Sequence, residues 1–305
     1  MSKASRLSRA VRLTVIFLFC LSVLFFVTSE KAGAEGQVLE YGINETQFQA
    51  PNPSFYLSET LYEDPSISVS IENGRAYNSY YLAARIRIAN PTQIRTSLAS
   101  SNGKDTQQAT RLAKRVNALF ALSGDSFGDN KSGAGMFIVR QGAVKRHNPS
   151  GYFDVLLIDD KGDFHIIREA KQADIDAFEG TVVNSFSFGP GLVVDGVATD
   201  NFQDRRDRDH YGPNARAQRV AICQTAPLEY LCVVTSGPDH NNSTGLTIEE
   251  FTQLITSLGP VQNAYNLDGG TSSWMVWRGE KINAFGSSKY RTINDIIFFV
   301  SAWKD

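Results

Sequence analysis

The sequence predicts a single α+β domain, a strand-rich core of mixed or antiparallel sheets with a few packed helices. Three observations carry that class. Short apolar runs bounded by turn residues recur from residue 56 onward. Two segments carry the 3.6-residue period of an amphipathic helix, and there is no regular β-α-β alternation. Residues 67–71 alternate apolar and polar, the pattern of a half-buried strand, and residues 80–88 and 155–158 read as further strands. Asp159-Asp160-Lys161-Gly162-Asp163 reads as a tight turn returning the chain into a partner strand at 164–167. The first helix is expected near 106–117, where Ala109, Leu112, Ala113 and Val116 share one face. The second is better marked. Thr247 and Glu250 form a capping box, Ile248, Phe251, Leu254, Ile255 and Leu258 make the apolar stripe, and Gly259-Pro260 stops it. Residues 275–277 and 293–300 are expected as the last strand pair, with Arg278-Gly279 as a turn.

The N-terminus has a different character. Lys3, Arg6, Arg9 and Arg12 precede an unbroken apolar run of fifteen residues, 13–27. That is short of the ~20 residues a bilayer-spanning helix needs. Ala32-Gly33-Ala34 then supplies small residues for a signal peptidase. Residues 1–34 therefore read as a signal peptide or an uncleaved N-terminal membrane anchor, and either one places the bulk of the chain outside the cytoplasm. Residues 35–55 are polar with Pro51 and Pro53 and read as a spacer, leaving 56–305 as the domain. Membrane contact is expected only through the N-terminal segment. The net charge of −2, with no long run of one sign, argues against a broad basic face for nucleic acid.

Of the three cysteines, Cys20 lies in the leader. Cys223 and Cys232 stand at equal distance from the centre of Ala226-Pro227-Leu228-Glu229, between apolar runs. A hairpin turning at Pro227-Leu228 makes them face each other, and an oxidising compartment favours a disulfide there. Two buried free thiols are the alternative, because spacing alone does not fix the geometry.

Three segments concentrate chemistry. In Asn266-Leu267-Asp268-Gly269-Gly270-Thr271-Ser272-Ser273, a strand delivers a carboxylate into a double-glycine turn. The glycines allow close backbone approach to a ligand, and the hydroxyls and amides beyond them can donate to phosphate or sugar oxygens; a plain tight turn is the bland reading. Gly124-Asp125-Ser126-Phe127-Gly128 fits the G-x-S-x-G elbow of serine hydrolases, with Ser126 as nucleophile. That elbow requires a following helix, and here a polar stretch leads to the apolar run 136–139, a strand pattern. Arg219 enters the hairpin strand, where a fixed guanidinium can fork onto phosphate or carboxylate, although a solvated arginine is commoner. His147, His165, His210 and His240 show no metal-ligand spacing.

Taken in order, these segments resemble the phosphodiester glycosidase domain, over most of the chain after about residue 60. Ser123-Gly124-Asp125-Ser126-Phe127 stands for its NGDYF-like stretch, and Gly189-Pro190-Gly191-Leu192-Val193-Val194-Asp195-Gly196 for its GP-L-V--G stretch. Arg219-Val220-Ala221-Ile222-Cys223 matches its arginine strand, and Gly245-Leu246-Thr247-Ile248-Glu249-Glu250-Phe251 its helix start. The most specific motif, A-x-N-L-D-G-G-x-S-[ST]-x-M, appears at residues 264–275. Ser123 departs from the usual Asn, Ser236-Gly237 stands where Asp-Gly is common, and Cys223 replaces a small Gly.

The resemblance implies hydrolysis of an anomeric C–O bond with a phosphomonoester leaving, on a phosphodiester-linked glycan or sugar phosphate outside the cytoplasm. Cleavage passes through an oxocarbenium-like state that normally uses two carboxyl groups. A departing phosphate, with a second pKa of ~6, needs little proton assistance, so charge stabilisation matters most. On this reading Asp125 and Asp268 are the catalytic carboxylates flanking the anomeric carbon. Arg219 holds the phosphate, with Gly269, Gly270, Thr271 and Ser272 completing the cradle, and Asn266 binds a sugar hydroxyl. No cofactor is required; a divalent cation stays open, since Asp125, Asp129 and Asp268 can supply oxygens but their spacing does not demand one. Two other functions fit: a non-catalytic glycan- or wall-polymer-binding domain, towards which Ser123 points, and a serine hydrolase using Ser126.

Overall fold

The computed structural model describes residues 48–101, 105–125, 136–200, 202, 212–240, 242–283 and 291–304; the expected signal peptide or anchor, Ser126, Asp129 and most of the expected spacer lie outside the described residues. Strands β1 (Tyr56–Ser58), β2 (Leu61–Glu63), β3 (Ile67–Ala76), β4 (Ser79–Ile88) and β5 (Ile94–Leu98) lead to helix α1 (Ala109–Arg115). β6 (Phe120–Ser123), β7 (Phe137–Arg140), β8 (Ala143–His147), β9 (Val155–Asp159) and β10 (Phe164–Ile167) precede the short α2 (Gln172–Asp176). β11 (Val182–Phe186), β12 (Gly191–Val194), β13 (Val197–Ala198) and the hairpin β14 (Val220–Ala226) and β15 (Glu229–Thr235) run on to α3 (Ile248–Ser257). β16 (Asn263–Leu267), β17 (Met275–Trp277), β18 (Glu280–Lys281) and β19 (Asp295–Phe299) close the chain.

A nine-stranded sheet, in the order β1-β2-β3-β4-β15-β14-β16-β12-β13, faces a five-stranded sheet, β18-β17-β6-β19-β5, and a three-stranded one, β10-β9-β11. Layers on both faces of the large sheet explain why β14, β15 and β16 are buried along most of their length. Val69, Ile86, Ile222, Cys232 and Tyr265 of the large sheet interleave with Phe120, Leu122, Met275 and Phe299 of the second and Leu156 and Phe186 of the third. Burial of each large side chain contributes roughly 1.5–3 kcal/mol. The outer face of the large sheet, with Ala221, Leu231, Val233 and Ala264, packs under Ile248, Phe251, Leu254 and Ile255 of α3. α1 covers the outer face of the five-stranded sheet through Ala109, Leu112 and Ala113. The layers thus run helix, sheet, sheet, helix, and the strand pairings are antiparallel, as in the α+β class that the sequence predicts. The predicted capping box forms. Thr247 Oγ1 accepts from the Glu250 amide and Glu250 Oε2 from the Thr247 amide, both at 3.1 Å.

Three expectations change. The expected last strand pair does not form, because β6 lies between β17 and β19 and pairs with both. All four β6 residues are buried, which suits a central strand. The expected spacer stops short of residue 55. Phe48 is buried, edge-on to Phe298 at 6.1 Å and beneath the Arg95 guanidinium at 4.6 Å, and its carbonyl accepts from Asn117 Nδ2. A phenylalanine between Gln47 and Gln49 is too weak a pattern to reveal this.

The disulfide is the third. The hairpin turns at Pro227-Leu228 as expected, with Ala226 opposite Glu229. A β-bulge at Thr225 then shifts the ladder by one residue, so that Cys223 faces Leu231 and Ile222 faces Cys232. A one-residue shift reverses the face of a side chain. Cys232 therefore points into the core between the sheets and Cys223 into the layer under α3, and both are buried free thiols.

Candidate active site

Several hollows mark the described surface. One, about 580 Å³, is lined by Pro51, Tyr56, Lys114 and Arg278 among others and has no carboxylate in its wall. Another, about 290 Å³, lies over Ser68, Arg85, Arg87 and Glu229. A third, about 260 Å³, opens where the C-terminal end of β16 meets the N-terminal end of β14 and the start of α3. Asn266, Asp268, Gly269, Gly270, Thr271, Ser272 and Arg219, separated by up to about fifty positions in the chain, all line it. Strand pairing brings them together, since β14 and β16 are neighbours and Val220 lies opposite Leu267.

The turn after β16 is shaped by its glycines. A Cβ on Gly269 would stand 2.5 Å from the Gln218 carbonyl oxygen, so no side chain fits, and Gly270 has φ +57°. The Gly270 amide donates to that Gln218 carbonyl at 2.9 Å and is therefore not a ligand donor, contrary to the expected cradle. The amides of Gly269 and Thr271 donate to no described residue, and the hydroxyl-bearing Thr271 and Ser272 stand in the same wall.

Asn266 is buried and held from two directions. Its amide donates to the Pro190 carbonyl at 3.1 Å and its Nδ2 to the Gly189 carbonyl at 2.7 Å. That contact fixes the orientation of the side-chain amide and leaves the buried Oδ1 with no partner. A buried acceptor of this kind costs about 1–3 kcal/mol unless a donor reaches it.

Arg219 departs from expectation. It is 6% exposed, and its Nε donates to the Leu246 carbonyl at 3.0 Å and its Nη2 to those of Ala215 and Gly212. Much of the fork is engaged by backbone, so the residue acts first as a brace between β14, the 212–215 loop and the start of α3.

The two expected carboxylates are neighbours by backbone but not by side chain. The Asp268 amide donates to the Gly124 carbonyl at 3.3 Å, Ser123 Oγ donates to the Asp268 carbonyl at 3.4 Å, and the same Oγ accepts from the Trp274 amide at 3.3 Å. Ser123 thus ties both ends of the turn. Asp268 lines the cavity, whereas Asp125 does not. The Asp125 carboxylate is wholly buried, where Oδ2 accepts from the Ser187 amide at 2.8 Å and stands 3.5 Å from Arg140 Nη2, and Oδ1 has no partner.

Asp295 completes that buried group. Its Oδ1 accepts from the Asp125 amide at 2.8 Å, and its Oδ2 accepts from Arg140 Nε at 2.7 Å and Nη2 at 2.5 Å. The Arg140 guanidinium also stacks over Phe186 at 4.4 Å and donates to the Ser185 carbonyl. A Cβ on Gly124 would lie 2.5 Å from Asp295 Oδ1, so Asp295 grips the Gly124-Asp125 turn at closest approach. Burial pushes the Asp125 carboxyl up to about 7, opposed by Arg140 and reinforced by Asp295, and burial raises Asp295 as well.

Arg140, Asp295 and Arg291, which lines the cavity, escaped the sequence reading. A signal existed for the first two. Arg140 ends one apolar strand and Asp295 begins another, opposite charges abutting fully buried runs. No cluster of His, Cys, Asp and Glu suited to a metal occurs among the described residues. Ser126, the nucleophile of the hydrolase reading, lies outside them.

Comparison with known proteins bears on the family and the fold. The sequence profile of the phosphodiester glycosidase family matches residues 116–300, which include the β6 turn, the hairpin, the double-glycine turn and β19. No curated protein sequence matches the chain. Among solved structures, the auto-inhibited catalytic domain of zebrafish N-acetylglucosamine-1-phosphodiester alpha-N-acetylglucosaminidase is similar with a TM-score of 0.63 at 16% identity, covering 84% of this chain and 87% of that one. A hypothetical protein from Synechocystis is similar with a TM-score of 0.57 at 15% identity, covering 80% of this chain and 64% of that one. At these identities the likeness is one of fold.

Proposed function

The chain belongs to the phosphodiester glycosidase family, and from that premise we propose that it hydrolyses the glycosidic bond of a sugar-1-phosphodiester, releasing a sugar and a phosphomonoester. The observation that carries this reading is a small cavity in which Asp268, the unsatisfied Oδ1 of Asn266 and the double-glycine turn share one wall. A cavity of about 260 Å³ is at the small end for ligand sites and suits one sugar ring rather than a run of them.

Asp268 is the carboxylate that attacks the anomeric carbon or activates water against it. Charge stabilisation by a preorganised wall does most of the work, because a departing phosphate needs little protonation. This makes one cavity carboxylate sufficient and relieves Asp125 of a flanking role. Asp125 instead belongs to the buried group that fixes Gly124 and, through the Gly124 carbonyl, Asp268. Asn266 accepts from a sugar hydroxyl, and the Thr271 and Ser272 hydroxyls with the Gly269 amide approach the phosphate. Arg219 contributes positive potential from within the wall. The setting is extracytoplasmic, supported by the basic-then-apolar N-terminus.

A turnover screen of sugar-1-phosphodiesters, with product stereochemistry read by NMR in the presence and absence of chelator, tests the reading. Turnover by the native chain that disappears in a normally folded Asp268→Asn variant is the expected result; full activity in that variant removes Asp268 from the mechanism. A non-catalytic glycan-binding role is the second reading, favoured by the absence of Asp125 from the cavity wall and by Ser123 in place of Asn. Saturable glycan binding without turnover of any member of the screen would select it.

A further inference from the structure

We propose that Arg291 is the residue that selects a phosphate-bearing leaving group, by donating its guanidinium fork to the phosphate at the cavity rim. The inference rests on the glycosidase reading for its substrate, but not for its anion.

Four observations place the role on Arg291 rather than on Arg219. Both line the cavity that holds Asp268. Arg219 has its Nε and Nη2 held by the carbonyls of Leu246, Ala215 and Gly212, whereas the Arg291 guanidinium has no hydrogen-bond or ion-pair partner among the described residues. Arg291 is exposed, so its donors are reachable by a ligand entering from solvent. Its backbone is nevertheless registered against the site. Its amide donates to the Thr271 carbonyl at 3.4 Å and its carbonyl accepts from Trp274 Nε1 at 3.0 Å, so it is tied to the turn that presents Asp268.

The chemistry follows from placement. A phosphodiester brings its own negative charge into a cavity walled in part by Asp268, and a cation at the phosphate offsets that charge. A planar guanidinium offers paired donors matched to two phosphate oxygens, and such charge-assisted bonds are about twice as strong as neutral ones. As the C–O bond breaks, the electron pair stays with the phosphate oxygen and its charge grows from one to two. A donor on that group therefore stabilises the transition state more than the bound substrate. A neutral aglycone gains nothing from it, so Arg291 discriminates between leaving groups without touching the sugar.

The test compares the full chain with Arg291→Ala, Arg291→Lys and Arg219→Lys. Inorganic phosphate binding is measured by calorimetry, and hydrolysis is measured on a sugar-1-phosphodiester and on a neutral aryl glycoside of the same sugar. For Arg291→Ala we expect phosphate affinity to fall about 10- to 100-fold. We expect kcat/KM on the phosphodiester to fall by about the same factor or more, with kcat/KM on the aryl glycoside unchanged. Arg291→Lys should recover part of both losses, because it keeps the charge and loses the fork. Phosphate affinity in Arg291→Ala equal to that of the native chain, or no phosphate binding by the native chain, overturns the proposal. So does an equal loss on both substrates. Phosphate binding that depends on Arg291 in a chain that hydrolyses neither substrate would instead refute the glycosidase reading and leave the anion site standing.

Discussion

Asp268 and Asp125 are the same residue type, linked by one backbone hydrogen bond through Gly124, yet their access to solvent differs. Asp268 stands in a cavity wall. Asp125 is sealed between an arginine and a second carboxylate, with its own carboxyl pushed up to about 7. The difference teaches that two acidic residues brought close by a fold are not thereby a catalytic pair. Access decides which carboxylate can meet a substrate, and burial turns the other into part of the frame that aims it.

The contrast is broken most directly at Asp268. Asp268→Asn should cost about 10³-fold or more in kcat on a sugar-1-phosphodiester, the scale on which transition-state charge stabilisation acts. Its thermal midpoint should stay close to the native one, and a large drop in that midpoint would move Asp268 into the frame instead. Arg140→Leu should do the reverse. Removing the cation leaves two buried carboxylates without compensation, which costs about 3–5 kcal/mol. A fall in the melting midpoint of about 10 °C is the corresponding signature in calorimetry.

Asp125→Asn sharpens the comparison through pH. The folded protein holds this proton more tightly than the unfolded chain, in which the carboxyl titrates near 3.8. The stabilisation is therefore complete below about 3.8, declines as pH rises and is lost as pH passes about 7. The native melting midpoint should fall relative to that of Asp125→Asn across this window and run parallel to it outside; parallel curves throughout would contradict the assignment. Arg219→Lys should cost about 1–3 kcal/mol through lost hydrogen bonds to carbonyls, with a smaller effect on turnover than Asp268→Asn. The smallest effect concerns the hairpin. A reductant should leave the melting midpoint unchanged, and alkylation under denaturing conditions without reductant should label both Cys223 and Cys232.

Much of this was legible in the sequence, for reasons that also mark its limit. The capping box of α3, the Asp159–Asp163 turn and the double-glycine turn are local devices, recorded in a few adjacent residues. The motifs flank the ends of neighbouring interior strands, so the strand pairing that brings β14 beside β16 also brings their residues to one cavity. What escaped was long-range. A charge beside a buried run marks Asp295, but nothing near it announces that it will hold the amide of Asp125 across 170 positions, and nothing near Phe48 reveals its place against Phe298. The central position of β6 was hidden in the same way, because a fully buried strand carries no alternation from which its two neighbours can be inferred.

The bulge at Thr225 has a reach beyond the two thiols it separates. In a bulge-free ladder with the same two-residue turn, Cys223 would oppose Cys232 and the hairpin could be stapled covalently. The same slip would turn over each side chain at the root of β14, Arg219 among them, and remove the brace that meets Leu246 and Ala215. A single extra residue thus makes the strand choose between a crosslink and a wall for the cavity, and here it has chosen the wall.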